Sequence, residues 1–110
     1  MNYFVLPGLP GKTNFLRERL SRYVIIELVA NGFKVTIDQV LGRRRDSDII
    51  KARHLSIYFL YEKCRMNKTQ VGKVFSMDHS SVINSLKQAK NLIDTDVKFK
   101  EVFDSVNCML

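Results

Sequence analysis

From about Ile49 to Arg65 the chain reads as a helix that is apolar nearly all round, with Ile57, Tyr58, Phe59 and Leu60 in consecutive positions. A helix with no polar face has to be enclosed by other elements, so this segment belongs at the centre of a bundle. The rest of the sequence supplies the enclosing helices, each with one apolar stripe. Leu16, Leu20, Tyr23, Val24 and Leu28 fall on one face of a helix beginning near Asn14. Ile37, Val40 and Leu41 form a shorter stripe, as do Val71, Val74 and Phe75. Val82, Leu86, Ala89 and Ile93 mark a longer helix, and Phe99, Val102, Phe103 and Val106 mark the last one. Strand-like alternation is nearly absent, and no repeat or low-complexity tract interrupts the pattern. At 110 residues there is room for one core. The expectation is an all-α fold, a small bundle of five or six helices.

Local signals set the boundaries. Met1 to Lys12 hold both prolines and two of the five glycines, which predicts an extended arm over residues 1–13 ahead of a helical domain over 14–110. Gly32 stands where a terminating glycine is expected, Thr36 can cap the short helix, and Gly42 can end it. Asp46, Ser47 or Asp48 can cap the central helix. Asn67 caps the next one, Ser76 and Met77 make a tight turn, and Asp78 caps the helix after that. The final helix begins after Asp96.

The charge is unevenly placed. The chain carries 18 Lys and Arg against 11 Asp and Glu, a net +7, with a pI near 9.7. Residues 43–68 hold eight cations and three anions, whereas residues 69–110 hold five of each. A surplus concentrated in one short segment suits polyanion binding, because clustered cations release counterions from a phosphate backbone. A surplus serving solubility alone would be spread more evenly. Arg43, Arg44 and Arg45 lie between a helix-ending glycine and a helix cap, a short constrained loop rather than a solvated tail.

Residues 67–94 read as two helices joined by a tight turn, the helix-turn-helix arrangement. Opposite the apolar stripe of the second helix lie Ser80, Asn84, Lys87 and Asn91. Ser and Asn lower helix propensity, so their presence at Ser80, Ser81, Asn84 and Ser85 points to a task other than stability. Short hydrogen-bonding groups without bulky apolar neighbours suit close approach to base edges in double-stranded DNA.

Four motifs then resemble one family: Val40-Leu41-Gly42-Arg43-Arg44-Arg45, Ala52-Arg53-His54-Leu55-Ser56-Ile57-Tyr58, Gln70-Val71-Gly72-Lys73-Val74-Phe75 and Asp78-His79-Ser80-Ser81-Val82. In order and spacing, from about Leu20 to Val106, they are similar to the C-terminal DNA-binding domain of the bacterial replication initiator DnaA. The resemblance implies a Trp-repressor-like helix-turn-helix bundle that reads a short, AT-rich box through both grooves. It implies that Arg45 enters the minor groove and that Asp78, His79, Ser80 and Ser81 meet base edges in the major groove. Arg53 would contact the DNA backbone. The expected DNA-binding set is Arg43, Arg44, Arg45, Arg53, His54, Lys68, Thr69, Asp78, His79, Ser80, Ser81, Asn84 and Lys87. Two departures bear on the box: Met77 stands where the family usually has Arg, and His54 where Gln is common. The resemblance reaches the DNA-binding domain alone, so it does not extend to ATPase activity, oligomerisation on DNA or origin melting.

Other readings are weaker. Gly8-Leu9-Pro10-Gly11-Lys12-Thr13 hints at a phosphate loop, but the motif needs a glycine where Leu6 stands, and no parallel sheet follows. His54, His79, Cys64 and Cys108 lack metal-ligand spacing, so no metal or other cofactor is expected. No paired carboxylates or base-activated nucleophile suggest an enzyme. Cys64 reads as a small buried hydrophobe. No apolar run approaches the roughly 18 residues needed to span a bilayer, and no signal peptide is evident, so a cytoplasmic location is expected. The principal alternative lies in the first helix, Asn14 to Asn31. Arg17, Arg19 and Arg22 beside Phe15, Leu16, Val24, Ile25 and Ile26 could meet an acidic membrane, and the second apolar face of Ile25, Ile26 and Val29 could instead meet a partner protein.

Overall fold

The computed structural model describes residues 22–109. The expected arm over 1–13 and the beginning of the expected first helix, with Phe15, Leu16, Arg17 and Arg19, lie outside the described residues. Helix α1 is described over residues 22–32. It is followed by α2 (Ile37–Leu41), α3 (Ser47–Glu62), α4 (Lys68–Phe75), α5 (His79–Thr95) and α6 (Val97–Met109). Among the described residues there is no strand, and the all-α expectation holds.

As its composition requires, α3 runs through the middle. Ile49, Ala52, Leu55, Ile57, Phe59 and Leu60 are buried, and α2, α4 and α5 all pack on it. Two ring contacts bring α6 onto this centre. Phe103 stacks on Phe59 with centroids 5.4 Å apart, and Phe99 meets Phe33 at 5.8 Å. Lys51 of α3 also pairs with Asp96 at 2.8 Å, and Asp96 accepts the Phe99 N–H at the head of α6. Together they fix the corner between α5 and α6.

The buried face of α1 differs from the expected one. Tyr23 and Val24 are 55% and 51% exposed, while Ile25, Ile26, Val29, Ala30 and Phe33 are buried. The run Ile26-Val29-Ala30-Phe33 repeats at i, i+3, i+4 and i+7 and ends opposite Phe99, so it forms the wider apolar stripe. Ile25, Ile26 and Val29 are therefore core, and the partner-binding face suggested for them does not exist.

The ending of α1 is also reached by other means. Lys34, at φ 60°, occupies the left-handed position, not Gly32. The Val35 N–H donates to the Ala30 carbonyl at 2.9 Å and the Lys34 N–H to the Asn31 carbonyl at 3.1 Å, a Schellman closure. Gly32 serves packing instead, since a Cβ built there would stand 2.6 Å from Val102 Cγ1. Two further non-glycine residues, Arg65 after α3 and Ser76 after α4, have φ 54° and 56°. The central helix starts two residues before the expected Ile49 and stops at Glu62 rather than Arg65. Asp46 stands at its N-cap without a side-chain cap bond, because its carboxylate is engaged by Arg44 at 3.0 Å.

Candidate nucleic-acid interface

The pair α4 and α5 is built by short-range signals. Asn67 and Gln70 form a reciprocal capping box at the head of α4, as Thr36 and Gln39 do for α2. Left-handed Ser76 then turns the chain, and the Met77 N–H returns to the Gly72 carbonyl at 2.8 Å. Asp78 caps α5 by accepting the Ser81 N–H at 2.8 Å. That bond holds its carboxyl below the usual carboxylate range. Gly72 lets the turn lie against α4: a Cβ there would come within 2.6 Å of the Met77 carbonyl oxygen. Val71, Phe75, Val82, Ser85, Leu86 and Ala89 are buried beneath the pair. Ser80, Asn84, Lys87 and Asn91 are all exposed, a continuous polar strip along the outer side of α5.

Beside this unit lies the loop Gly42–Asp46. Arg43, Arg44 and Arg45 are exposed, with Arg44 engaged by Asp46. Arg53 was expected to meet a DNA phosphate, but the geometry places it elsewhere. It is 9% exposed, and its guanidinium donates to four backbone carbonyls. Nε bonds Val40 at 2.8 Å, and Nη2 bonds Gln39 at 3.3 Å, Gly42 at 2.8 Å and Arg44 at 3.0 Å. A charge buried without a carboxylate is tolerable where carbonyl dipoles replace water, and α2 has no basic residue of its own in its last turn. Burial, and then the nearby charge of Arg45, lower the Arg53 pKa from its ordinary value.

The loop and the head of α5 face each other across an open cleft of about 570 Å³. Arg43 and Arg45 line it from the loop, Ile50, Arg53 and His54 from α3, and Met77, Asp78, Ser80, Ser81 and Asn84 from the turn and α5. His54 is half-buried, and its Nδ1 is enclosed without a hydrogen-bond partner. Burial and then the Arg53 charge lower its pKa, which favours the neutral imidazole.

A separate groove is lined by Tyr61, Arg65, Asn67, Lys68, Thr69 and His79, with the Lys68 ammonium 5.6 Å from the Tyr61 ring centroid. The expected residues thus divide. Arg43, Arg45, Arg53, His54, Asp78, Ser80, Ser81 and Asn84 share the cleft, while Lys68, Thr69 and His79 share the groove. Lys87 continues the outer strip of α5 beyond both. Sequence reasoning passed over Arg65 and Tyr61. Arg65 had a visible signal, being one of the eight cations of residues 43–68, but it fell inside the expected central helix. No group of three or more His, Cys, Asp or Glu among the described residues could hold a metal ion. No described helix is long and apolar enough to cross a membrane.

A capped two-helix unit with a polar outer strip, flanked by a pinned cationic loop, defines a helix-turn-helix module. The chain matches the bacterial dnaA protein helix-turn-helix family over residues 23–89 and belongs to it. It is a DnaA-type DNA-binding domain. It is 32% identical over 92 residues to the chromosomal replication initiator protein DnaA of Mycoplasma genitalium, a match that covers 84% of this chain and 21% of that protein. Over 83 residues it is 36% identical to the DnaA of Mesoplasma florum, covering 74% of this chain and 19% of that one. The chain therefore spans about a fifth of the length of these relatives. A crystal structure of a DNA replication initiation factor has the same fold, with TM-score 0.68 and 22% identity over 86% of this chain and 32% of that one.

Proposed function

We propose that this domain binds double-stranded DNA sequence-specifically at a DnaA-box-like site and thereby acts in the regulation of replication initiation or transcription. The observation that carries the reading is the cleft, with a cationic loop on one side and the polar head of α5 on the other. In a duplex one sugar-phosphate strand separates each major groove from the adjacent minor groove. With that strand in the cleft, α5 lies in the major groove and Arg45 reaches the minor groove. AT-rich sequence narrows the minor groove and deepens its negative potential, which favours an inserted arginine. On the major-groove side, Ser80, Ser81 and Asn84 offer donors and acceptors to base edges, and the Asp78 carboxylate can accept from a cytosine amine. The unpaired N–H groups of the first turn of α5 favour phosphate nearby. The second groove, with Arg65, Lys68, Thr69 and His79, offers a further contact to the backbone.

Fluorescence anisotropy of labelled duplexes at two salt concentrations tests this. One duplex carries a DnaA-type box and the other a scrambled box. The expected result is at least about a tenfold preference for the box, or about 1.4 kcal/mol. Ser80→Ala should reduce that preference, weakening box binding by about 1–3 kcal/mol. Equal binding to both duplexes by the unaltered chain would refute sequence reading. A Ser80→Ala loss that is equal on both would remove Ser80 from it.

A further inference from the structure

The cleft holds two arginines of opposite character, Arg45 exposed and Arg53 buried, and the hydrogen bonds of the second converge on the segment that carries the first. We propose that Arg53 is a positioning residue for the minor-groove arm: it contributes to recognition by holding the segment that carries Arg45 rather than by reading DNA itself. This rests on the minor-groove reading of Arg45 given above.

The argument starts from what the segment would be without it. Helix α2 has five residues, too few to be stable alone. Its final carbonyls have no intrahelical partner, and the loop behind it carries three adjacent like charges that repel one another. Arg53 answers all of this from a single fixed point on the central helix. Its guanidinium takes the Gln39 and Val40 carbonyls at the end of α2 and the Gly42 and Arg44 carbonyls of the loop. Beyond the last of these the chain enters α3, whose Ile50 N–H donates to the Asp46 carbonyl, while the Arg44–Asp46 ion pair bridges over Arg45. Arg45 is thus held between an anchored carbonyl before it and a helix start after it, so its backbone is fixed while its side chain stays free. A lysine at position 53 would supply a compact ammonium rather than a planar fork, and could not serve the same spread of carbonyls.

The experiment uses the full chain and reads the minor groove directly. Replacing adenine by 2,6-diaminopurine in the AT portion of the box puts an amino group on the minor-groove floor and leaves the major-groove edge intact. The unaltered chain should bind the modified box about tenfold more weakly than the ordinary one, and Arg45→Ala should bind both alike. Arg53→Met should lose most of this discrimination. It should still melt cooperatively and still prefer boxes whose α5-facing bases are intact. Adding Arg53→Met to Arg45→Ala should then cost little further affinity, because the two act through one contact. Should Arg53→Met fold poorly, Arg53→Lys serves in its place with the same expectation.

An Arg53 variant that stays folded, keeps the tenfold discrimination and loses affinity additively with Arg45→Ala would overturn the proposal. Such a residue would be acting on DNA by itself. If the unaltered chain failed to distinguish the two duplexes, the minor-groove reading would fall first and the proposal with it. That outcome is recognisable because it appears before any variant is made.

Discussion

Alanine at position 72 sets two effects against each other within a single methyl group. In the middle of a helix alanine is favoured over glycine by about 1 kcal/mol. Here the added Cβ would stand 2.6 Å from the Met77 carbonyl oxygen, and relief to an ordinary contact of 3.4 Å requires a shift of about 0.8 Å. The obstructing atom is backbone, and it is held. The Met77 N–H is bonded to the Gly72 carbonyl, and the residue that follows is the cap of α5. Val82 Cγ2, at 3.5 Å on another side, leaves little room for the methyl to turn away. Overpacking of this kind costs about 1–3 kcal/mol, more where backbone rather than side chain must yield, so the expected net loss is about 1–2 kcal/mol. For a small domain that lowers the melting temperature by about 5–15 °C. Thermal unfolding followed by circular dichroism measures it, and box affinity should fall as well, because the shift passes directly to the head of α5. A variant as stable as the parent, with unchanged affinity, would show that the turn relaxes freely and that helix propensity decides.

The lowered pKa of His54 means that the folded protein binds its proton less readily than the unfolded chain. Stability should therefore be complete above the ordinary value of 6.5 and decline as pH falls through the folded value below it. His54→Gln should remove that decline when melting temperatures are compared at pH about 7.5 and about 5. Asp96→Asn should lower the melting temperature at neutral pH, because it weakens both the Lys51 pair and the Phe99 cap. Those contacts hold the Asp96 carboxyl below its ordinary 3.8, so the difference from the parent should disappear only in strong acid. Lys87→Ala should weaken binding on every duplex and reduce the slope of log affinity against log salt by about 1, as loss of one phosphate contact does. An unchanged slope would remove Lys87 from the interface.

Features carried by near neighbours in the chain were readable in advance. The caps at Thr36, Asn67 and Asp78, the turn at Ser76, and the stripe from Val82 to Ala89 each depend on residues a few positions apart, and each stands as the spacing suggested. Features set by distant contacts were not readable. Arg53 reaches carbonyls 9 to 14 positions away, and nothing in Ala52-Arg53-His54 distinguishes an inward arginine from an outward one. Gly32 owes its place to Val102, and the face of α1 was settled by Phe99 across the core. Helix ends at Lys34 and Arg65 were obscured for another reason. Left-handed residues are usually glycine or asparagine, and here two exposed charged residues take that conformation instead. How the expected residues divide between the cleft and the groove appeared only once the helices were placed.

The two walls of the cleft are chemically unlike, a cationic loop facing a helix head of hydroxyls, an amide and a carboxylate. On the proposed reading, a domain that meets DNA with two different walls gives its binding site a polarity. Turned end for end, the duplex still offers its wide groove to α5 and its narrow groove to the loop, because its backbone is dyad-symmetric, but each wall then meets the base pairs in reversed order. One copy therefore needs no palindrome, and each occupied site points one way along the duplex. Two copies on neighbouring sites then stand either in file or face to face, and the order of bases alone decides which.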